Sequence, residues 1–311
     1  MMGENMTGEN IFRITIPAHG RANGDGVAIA FNYWPGRGTP IVCIHGLTAS
    51  SMSFIGLADS LAGHALLAID LRGRGNSDKP ASPYGMAQHA RDVAAVLRAF
   101  GAESYIVVGH SMGAYIATAL AAQEPDLVAG LVMLDGGYFP PMPDGLDADQ
   151  ILDLVVGPAV IGRLNQTYSS RAAYLAYWHA LPAYPREDWS AWLETYLADD
   201  LSGEAPDLKP KACEAGVRAD FADMLRRDEI TARLKSVRCP TMVIRAEQGM
   251  VKGQPGIMPD QVLQAICHLV LQTEARTING VTHYTILFNQ DGITQVAELI
   301  AEFTQRCLAA K

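Results

Sequence analysis

The residues that could do covalent chemistry in this chain centre on Ser111. This serine lies in Gly109-His110-Ser111-Met112-Gly113, which has the form G-x-S-x-G. The pattern is typical of a serine on a sharp strand-to-helix turn, where its hydroxyl is exposed as a nucleophile. The β-branched residues before it predict a buried strand, and the small and aliphatic residues after it predict a helix. The alternative interpretation is a glycine-rich turn that carries an ordinary serine.

Strands and helices alternate along the chain on both sides of this turn. Short hydrophobic runs predict buried strands at 40–44, 65–69, 105–108, 131–134, 241–245 and 275–278. Helices are predicted at 86–100, 259–271 and 291–308. An alternation of apolar and polar residues predicts an antiparallel edge hairpin from 11–16 and 27–34. This order of elements predicts an α/β fold with a doubly wound, mostly parallel sheet that is covered on both faces.

The segment 138–231 interrupts this alternation. It has no hydrophobic run typical of a buried strand, several stretches with helical periodicity, and 16 acidic against 8 basic residues. We interpret it as a helical cap inserted into a core domain that comprises 1–137 and 232–311. Its aromatic residues either pack the cap against the core or line an apolar pocket. They are Tyr168, Tyr174, Tyr177, Trp178, Tyr184, Trp189, Trp192 and Tyr196.

Composition and charge limit the classes of function. The chain has 311 residues, 49% of them hydrophobic, and a net charge of −9. The negative charge argues against nucleic acid or an anionic membrane as a partner, and no apolar stretch approaches the roughly 20 residues of a membrane span. Five scattered cysteines and an N-terminus without an apolar signal core favour a cytoplasmic protein without a metal site or other cofactor. A homo-oligomer stays an open hypothesis, because the edge strand expected at 11–16 offers unpaired backbone groups.

Four landmarks follow one another in the order of a known family. They are His45-Gly46, Asp70-x-Arg72-Gly73-x-Gly75-x-Ser77, Gly109-His110-Ser111-Met112-Gly113 and Gly280-x-x-His283. With them, the whole chain resembles a capped serine hydrolase of the α/β-hydrolase fold superfamily. The resemblance implies an eight-stranded sheet with the active site at the carboxyl ends of its strands. In the second landmark we expect Arg–Asp pairing that braces the loop beside the pocket.

The resemblance also implies the partners of Ser111. His283 is the expected base, because the histidine follows the nucleophile and the acid in the chain order of the family. The acid that orients His283 is expected at one of two positions. Asp135, at the end of the strand that follows the elbow helix, is the position that we favour. Glu247, in the loop after the strand 241–245, is the alternative.

The resemblance assigns the oxyanion hole to backbone N–H groups. These are the N–H of Met112, the residue after the nucleophile, and that of Leu47, in the loop after the first landmark. Such donors stabilise the negative charge that develops on the carbonyl oxygen during acyl transfer. The side chain of His110 is expected to point away from the pocket.

Together these features predict a serine hydrolase that acts on a small apolar molecule. The expected substrate is a small-to-medium carboxylic ester, thioester or lactone, cleaved through an acyl-enzyme. One alternative is carbon–carbon bond hydrolysis of a diketone by the same triad, which a cap arginine such as Arg163 or Arg171 would favour by binding a substrate carboxylate. The other alternative is a non-catalytic ligand receptor on the same fold.

Overall fold

In the computed structural model, which describes residues 14–143 and 145–309, eight strands form one sheet. The strands of the chain are β1 (Ala18–Asn23), β2 (Ala28–Trp34), β3 (Arg37–Ile44), β4 (His64–Ile69), β5 (Tyr105–His110), β6 (Val128–Leu134), β7 (Leu201–Ser202), β8 (Lys209–Pro210), β9 (Thr241–Ala246) and β10 (Thr273–Ile278). The sheet has the order β1-β2-β4-β3-β5-β6-β9-β10, and β7 and β8 form a separate short ladder. β1, β2 and β4 pair antiparallel, and all further neighbours are parallel. The predicted mostly parallel, eight-stranded sheet is confirmed.

Helices connect these strands. They are α1 (Ile55–Ser60), α2 (Met86–Phe100), α3 (Met112–Gln123), α4 (Ala148–Val155), α5 (Pro158–Gly162), α6 (Arg171–His179), α7 (Ala191–Asp199), α8 (Glu214–Met224), α9 (Arg227–Ser236), α10 (Asp260–Leu269) and α11 (Gln290–Ala309). Within 14–143 and 145–309, none of them combines the length and the apolar character that a membrane crossing requires.

The sheet separates two hydrophobic cores. Successive residues of β3 alternate between them: Ile41 and Cys43 belong to one core, and Val42 and Ile44 to the other. This follows from the two-residue period of a strand, which sends neighbouring side chains to opposite faces. Because both faces are covered, the inner strands are apolar throughout, which is why their hydrophobic runs were visible in the sequence.

The edge hairpin lies later in the chain than predicted. Its first strand is β1, whereas residues 14–16 form no strand and 11–13 lie outside the described residues. β1 pairs antiparallel with β2, as expected for a hairpin. The predicted position was wrong because the sequence AHGRAN of β1 has no apolar alternation. This strand is ordered by backbone pairing with β2 and not by burial of its own side chains.

Between β6 and β9 the described chain forms the helices α4 to α9 and the short β7–β8 ladder. The last of these helices runs past the expected cap boundary at 231 and packs against α3. Aromatic rings of this segment pack edge to face on one another. The ring centroids of Tyr168 and Tyr174 are 4.7 Å apart, and those of Trp178 and Tyr184 are 5.4 Å apart. The division into a core domain and a cap stays a prediction.

Two glycines allow the turn between β5 and α3 to close. A Cβ atom on Gly109 would lie 2.2 Å from the carbonyl oxygen of Gly113, and one on Gly113 would lie 1.9 Å from the carbonyl oxygen of Ile44. Both obstacles are backbone atoms, which cannot rotate away as a side chain can. The glycines of the G-x-S-x-G pattern are therefore steric requirements for packing α3 against β3 and β5.

Gly113→Ala is accordingly expected to reduce the free energy of unfolding by about 3 kcal/mol or more, because overpacking here must displace backbone. The matched control is Gly162→Ala, since Gly162 has helical φ and ψ angles and open space around its Cβ position. That variant is expected to be neutral or slightly stabilising. Thermal and denaturant unfolding measure both, and equal stability of the two variants would contradict the steric argument.

Candidate active site

Ser111 lies between the end of β5 and the start of α3 in a backbone conformation that few residues adopt. Its φ is 56° and its ψ is −121°. Such a conformation costs about 1–3 kcal/mol in a residue with a side chain and persists only where the surroundings hold it. Here the N–H of Ser111 donates to the carbonyl oxygen of Leu134 at 2.9 Å, and a Cβ atom on Gly136 would come within 2.3 Å of the Ser111 carbonyl oxygen. The end of β6 therefore fixes the turn.

A chain of hydrogen bonds runs from Ser111 through His283 to Asp135. Nε2 of His283 lies 3.0 Å from Oγ of Ser111, and its Nδ1 lies 2.7 Å from Oδ2 of Asp135. The other carboxylate oxygen of Asp135 accepts the N–H of Ala246 at 3.0 Å. Because a carboxylate only accepts, Nδ1 of His283 carries the proton and Nε2 is free to accept the serine hydroxyl. Asp135 and His283 are both buried.

Of the two candidate acids, the structure places only Asp135 against His283. Glu247 is solvent-exposed, and its Oε2 accepts the N–H of Gly280 at 2.7 Å. That bond ties the loop after β9 to the segment that leads into His283. Glu247 therefore contacts the backbone near the histidine and not its ring.

His110 is oriented differently from the expectation that it would point away from the pocket. His110 is among the residues that line the cavity, and its ring stacks on the ring of His283, with the centroids 4.8 Å apart. Nε2 of His110 lies 3.0 Å from the carbonyl oxygen of His283, to which it can donate. The expectation was wrong because the His283 loop packs across the end of β5. Burial and the neighbouring His283 hold the pKa of His110 well below its ordinary value, so its ring stays neutral beside His283.

The loop 46–49 lies beside Ser111. A Cβ atom on Gly46 would lie 3.2 Å from Cβ and 3.6 Å from Oγ of Ser111, so the glycine keeps this side of the serine free of side-chain atoms. Within the described part of the chain, the N–H of Leu47 has no protein acceptor. Met112 is the first residue of α3, where helical N–H groups have no intrahelical acceptor. Both predicted oxyanion donors are thus available on the elements that flank the serine.

His45 holds the start of this loop. Its Nε2 accepts the N–H of Leu71 at 3.0 Å, so Nδ1 carries the proton and donates to the carbonyl oxygen of Gly46 at 2.8 Å. Burial lowers the pKa of His45 to about 3, which keeps the ring neutral. A neutral imidazole that both accepts and donates is what this position requires.

Two cavities meet at Ser111. Leu47, Val156 and Met250 line both of them. The first, here called the aromatic lobe, is lined further by Trp178, Tyr184, Tyr196, Tyr284 and Phe288. The second, here called the methionine lobe, is lined further by Tyr138, Phe139, Phe221, Met224 and Met258. Of the predicted aromatic residues in 138–231, Trp178, Tyr184 and Tyr196 therefore reach the cavity.

Among the described residues, the cavity walls carry no lysine or arginine, and their one carboxylate is that of Asp135 in the methionine lobe, which is hydrogen-bonded to His283. Burial raises the pKa of Tyr284 to about 12 and that of Tyr184 well above its ordinary value, so these phenols stay protonated. Within 14–143 and 145–309, no group of three or more histidine, cysteine or acidic side chains is arranged to hold a metal ion.

The arginines of the Asp70 landmark pair with other carboxylates than expected. Arg72 makes two hydrogen bonds to Asp92, at 2.5 and 2.7 Å, and Arg74 pairs with Asp220 of α8 at 2.6 Å. Asp70 instead accepts two backbone N–H groups. The expected Arg–Asp pairing is present, but its carboxylates come from positions that the local motif does not contain.

Comparison with known proteins places this geometry in a family. Residues 39–290 match the family model of the alpha/beta hydrolase fold, and the chain belongs to this family of hydrolases. The 2-(acetamidomethylene)succinate hydrolase of Mesorhizobium japonicum is 31% identical over 214 residues, which cover 68% of this chain and 72% of the relative. The N-formylmaleamate deformylase of Pseudomonas putida is 28% identical over 244 residues, which cover 76% of this chain and 81% of the relative.

Solved structures have the same fold. A crystal structure of E-2-(acetamidomethylene)succinate hydrolase superposes with a TM-score of 0.75 at 22% identity and covers 92% of this chain and 99% of that chain. A thioesterase domain from the curacin biosynthetic pathway superposes with a TM-score of 0.71 at 20% identity and covers 92% of this chain and 100% of that domain. At these identities the structural similarity establishes the fold alone. The reaction has to be inferred from the residues of the site.

The neutral buried histidines predict a loss of stability in acid. The pKa of His45 is about 3 in the folded protein, whereas an unfolded histidine has a pKa of about 6.5. Between these values the unfolded chain binds a proton that folded His45 does not, so the free energy of unfolding falls as the pH falls, by about 1.4 kcal/mol per pH unit. Denaturant unfolding at a series of pH values below neutrality measures this slope.

His45→Gln is expected to lower this slope by about 1.4 kcal/mol per pH unit, the contribution of one proton. The reason is that glutamine takes up no proton in either the folded or the unfolded state. The control is His268→Gln, since His268 lies exposed on α10 and its replacement should leave the slope as in the wild type. A slope that His45→Gln does not change would contradict the assignment of a neutral His45.

Proposed function

We propose that the protein is a serine hydrolase that cleaves uncharged, apolar carboxylic esters, thioesters or lactones through an acyl-enzyme. One observation carries the proposal: the hydrogen-bonded chain of Ser111, His283 and Asp135 opens into a largely apolar cavity whose described lining has no lysine or arginine. A nucleophile, a base and an orienting acid at these distances are the parts that acyl transfer requires.

In the proposed mechanism, Oγ of Ser111 attacks the substrate carbonyl carbon while Nε2 of His283 takes the hydroxyl proton. Asp135 stabilises the imidazolium that forms but does not itself take the proton. The N–H groups of Leu47 and Met112 bind the oxyanion. The tetrahedral intermediate collapses, the bond to the leaving group breaks, and His283 protonates the departing oxygen or sulfur. A water molecule activated by His283 then hydrolyses the acyl-enzyme.

The absence of lysine and arginine from the described cavity lining sets the charge of the proposed substrate. The two curated relatives are named for a succinate and a maleamate, which carry carboxylates. A buried carboxylate needs a cationic partner, because desolvation of an unpaired charge is costly. Neither arginine considered from the sequence lines the cavity: Arg163 is buried behind it, and Arg171 is exposed at the start of α6. We therefore assign this chain an uncharged substrate.

The position of His283 orients the substrate between the lobes. The leaving group must receive its proton from Nε2 of His283, and His283 lines the aromatic lobe but not the methionine lobe. The leaving group accordingly occupies the aromatic lobe, and the acyl chain occupies the methionine lobe. Flat rings suit the first lobe, since aromatic walls offer faces and edges for stacking.

A second candidate function is cleavage of a carbon–nitrogen or carbon–carbon bond by the same three residues. The names of the two relatives favour it, because neither is named for an ester. The arginine that would have favoured a diketone acid is missing from the described cavity lining. An ester and an amide that share the same acyl group and the same leaving-group substituent distinguish ester hydrolysis from cleavage of a carbon–nitrogen bond. A non-catalytic receptor would hydrolyse neither compound.

The proposal predicts Ser111-dependent hydrolysis of p-nitrophenyl esters, measured by release of p-nitrophenol from acetyl to decanoyl chains. Ser111→Ala is expected to lower kcat by at least about 1,000-fold. Asp135→Asn should lower it by about 100- to 10,000-fold, because the wrong tautomer of His283 is then stabilised. Glu247→Gln is the matched control and should stay within about two-fold of the wild type.

A hemisuccinate ester provides the test of charge, since its acyl chain ends in a carboxylate. Its kcat/KM is expected to be at least about 10-fold below that of a neutral ester of equal length. A preference for the hemisuccinate would contradict the uncharged substrate, and no Ser111-dependent turnover of any ester would contradict ester hydrolysis.

The proposed orientation of the substrate predicts that two substitutions, both at partly buried positions, impair the hydrolysis of different substrates. Val155→Phe narrows the methionine lobe and should lower kcat/KM selectively for long acyl chains. Ala49→Phe narrows the aromatic lobe and should lower kcat/KM selectively for bulky leaving groups, such as naphthyl. Each variant is the control of the other. The reverse pattern in a matrix of acyl chains and leaving groups would show that the substrate lies the other way round.

A further inference from the structure

Hydrogen bonds to three consecutive carbonyl groups hold the loop that carries the Leu47 N–H. The carbonyl oxygen of Gly46 accepts hydrogen bonds from Nδ1 of His45 at 2.8 Å and from the N–H of Ala49 at 3.2 Å. The next carbonyl, that of Leu47, accepts from Nε of Arg74 at 3.0 Å. The third, that of Thr48, accepts from a terminal nitrogen of Arg163 at 3.0 Å. Three successive carbonyl groups are thus fixed, the first by neighbouring residues and the next two by arginines from other parts of the chain.

Both arginines are fully buried, and both are paired with carboxylates from the segment 138–231. Arg74 pairs with Asp220 of α8 at 2.6 Å. Arg163 pairs at 3.1 Å with Asp200, which follows α7 directly and also accepts the hydroxyl of Tyr174. A buried guanidinium is costly unless its charge is compensated. Each carboxylate therefore compensates the charge of its arginine and leaves another N–H of that arginine to bind the loop.

We propose that Arg163 and Arg74 are positioning residues that hold the Leu47 N–H in place for the oxyanion. We name the two arginines and the two carbonyl groups that they bind, those of Leu47 and Thr48, the carbonyl clamp. The inference rests on the proposed function, because the clamp serves an oxyanion hole. It goes beyond that function in making the segment 138–231 part of the catalytic apparatus through Arg163.

The clamp matters because an oxyanion donor acts only where it is already in place. Removing one such donor costs about 100- to 1,000-fold in kcat, and a displacement of about 1 Å elsewhere can cost 100-fold. The Leu47 N–H belongs to the peptide unit of the Gly46 carbonyl, and the clamp holds the two units that follow. Without the clamp these units could rotate and, through the Cα of Leu47, turn the N–H out of line. The charge-assisted bonds of the arginines resist this rotation more strongly than neutral donors would.

Arg163 also contacts a wall of the cavity. Its guanidinium lies 4.9 Å from the centroid of the Trp178 ring, which lines the aromatic lobe. One buried side chain therefore touches both the wall of the proposed leaving-group lobe and the loop of the oxyanion hole. Its two contacts place Arg163 between the wall of this lobe and the loop.

The first test separates positioning from stability in ester hydrolysis. Arg163→Met is expected to lower kcat by about 10- to 100-fold with little change in KM, and to lower Tm because Asp200 is left unpaired. The double variant with Arg163→Met and Asp200→Asn should regain Tm, since the buried charge is gone, but not kcat. The matched control is Arg171→Met, an exposed arginine of the same segment, which should leave both unchanged.

The second test does not need turnover. An aryl trifluoromethyl ketone adds to a serine: the Oγ–carbon bond forms, the carbonyl π electrons move to oxygen, and the serine proton passes to His283. The resulting oxyanion needs the oxyanion hole, whereas the corresponding methyl ketone only fills the cavity. The ratio of their inhibition constants is expected to fall by about 10- to 100-fold in the Arg163→Met/Asp200→Asn double variant and to stay unchanged in Arg171→Met.

The outcomes distinguish the two proposals. If the wild type shows no Ser111-dependent preference for the trifluoromethyl ketone, the proposed function fails, and the clamp fails with it. If the wild type shows this preference and the double variant keeps it, the clamp alone is overturned. Recovery of kcat together with Tm in the double variant would likewise show that Arg163 acts only through stability.

Discussion

The site depends on one backbone constraint, the positive φ of Ser111. This conformation is unfavourable for serine, and it persists because the end of β6 and the glycines on either side enclose the turn. The same packing sets the rest of the geometry. It brings Asp135, which directly follows β6, close to Ser111, and it places the first N–H of α3 beside the serine. A strained turn and its neighbours thus bring together the three groups to which the proposed function assigns the roles of nucleophile, acid and oxyanion donor.

Buried charge lies mainly around the cavity. Apart from Asp135, the described cavity lining has no acidic side chain, lysine or arginine, while two buried ion pairs lie behind the loop 46–49. In each pair the carboxylate compensates the charge of the arginine, and another N–H of that arginine donates to a carbonyl oxygen of the loop. In a site with low dielectric, backbone donors on a loop that is fixed in this way stabilise developing charge more strongly than water does. The ester hydrolysis that we propose would use such donors, because its substrate is neutral and its transition state is not.

The sequence predicted what local patterns encode. The buried strands, and the turn at Ser111, have short-range signals of burial and glycine spacing. The choice between Asp135 and Glu247 depended on which carboxylate faces the histidine ring, a direction that no spacing encodes. His110 was predicted wrongly because the loop that packs against it comes from the far end of the chain. The Arg163 contact with the Thr48 carbonyl spans 115 positions and involves backbone on one side, so it leaves no sequence pattern.

The proposed function requires Ser111 to form an acyl-enzyme with an uncharged ester. This intermediate is best detected by intact-protein and peptide mass spectrometry of enzyme that is acid-quenched in the first turnovers of a p-nitrophenyl ester. We expect an added acyl mass that lies on the peptide of Ser111 and is absent from Ser111→Ala. Ester turnover without any acylated serine, or acylation on another residue, would contradict it.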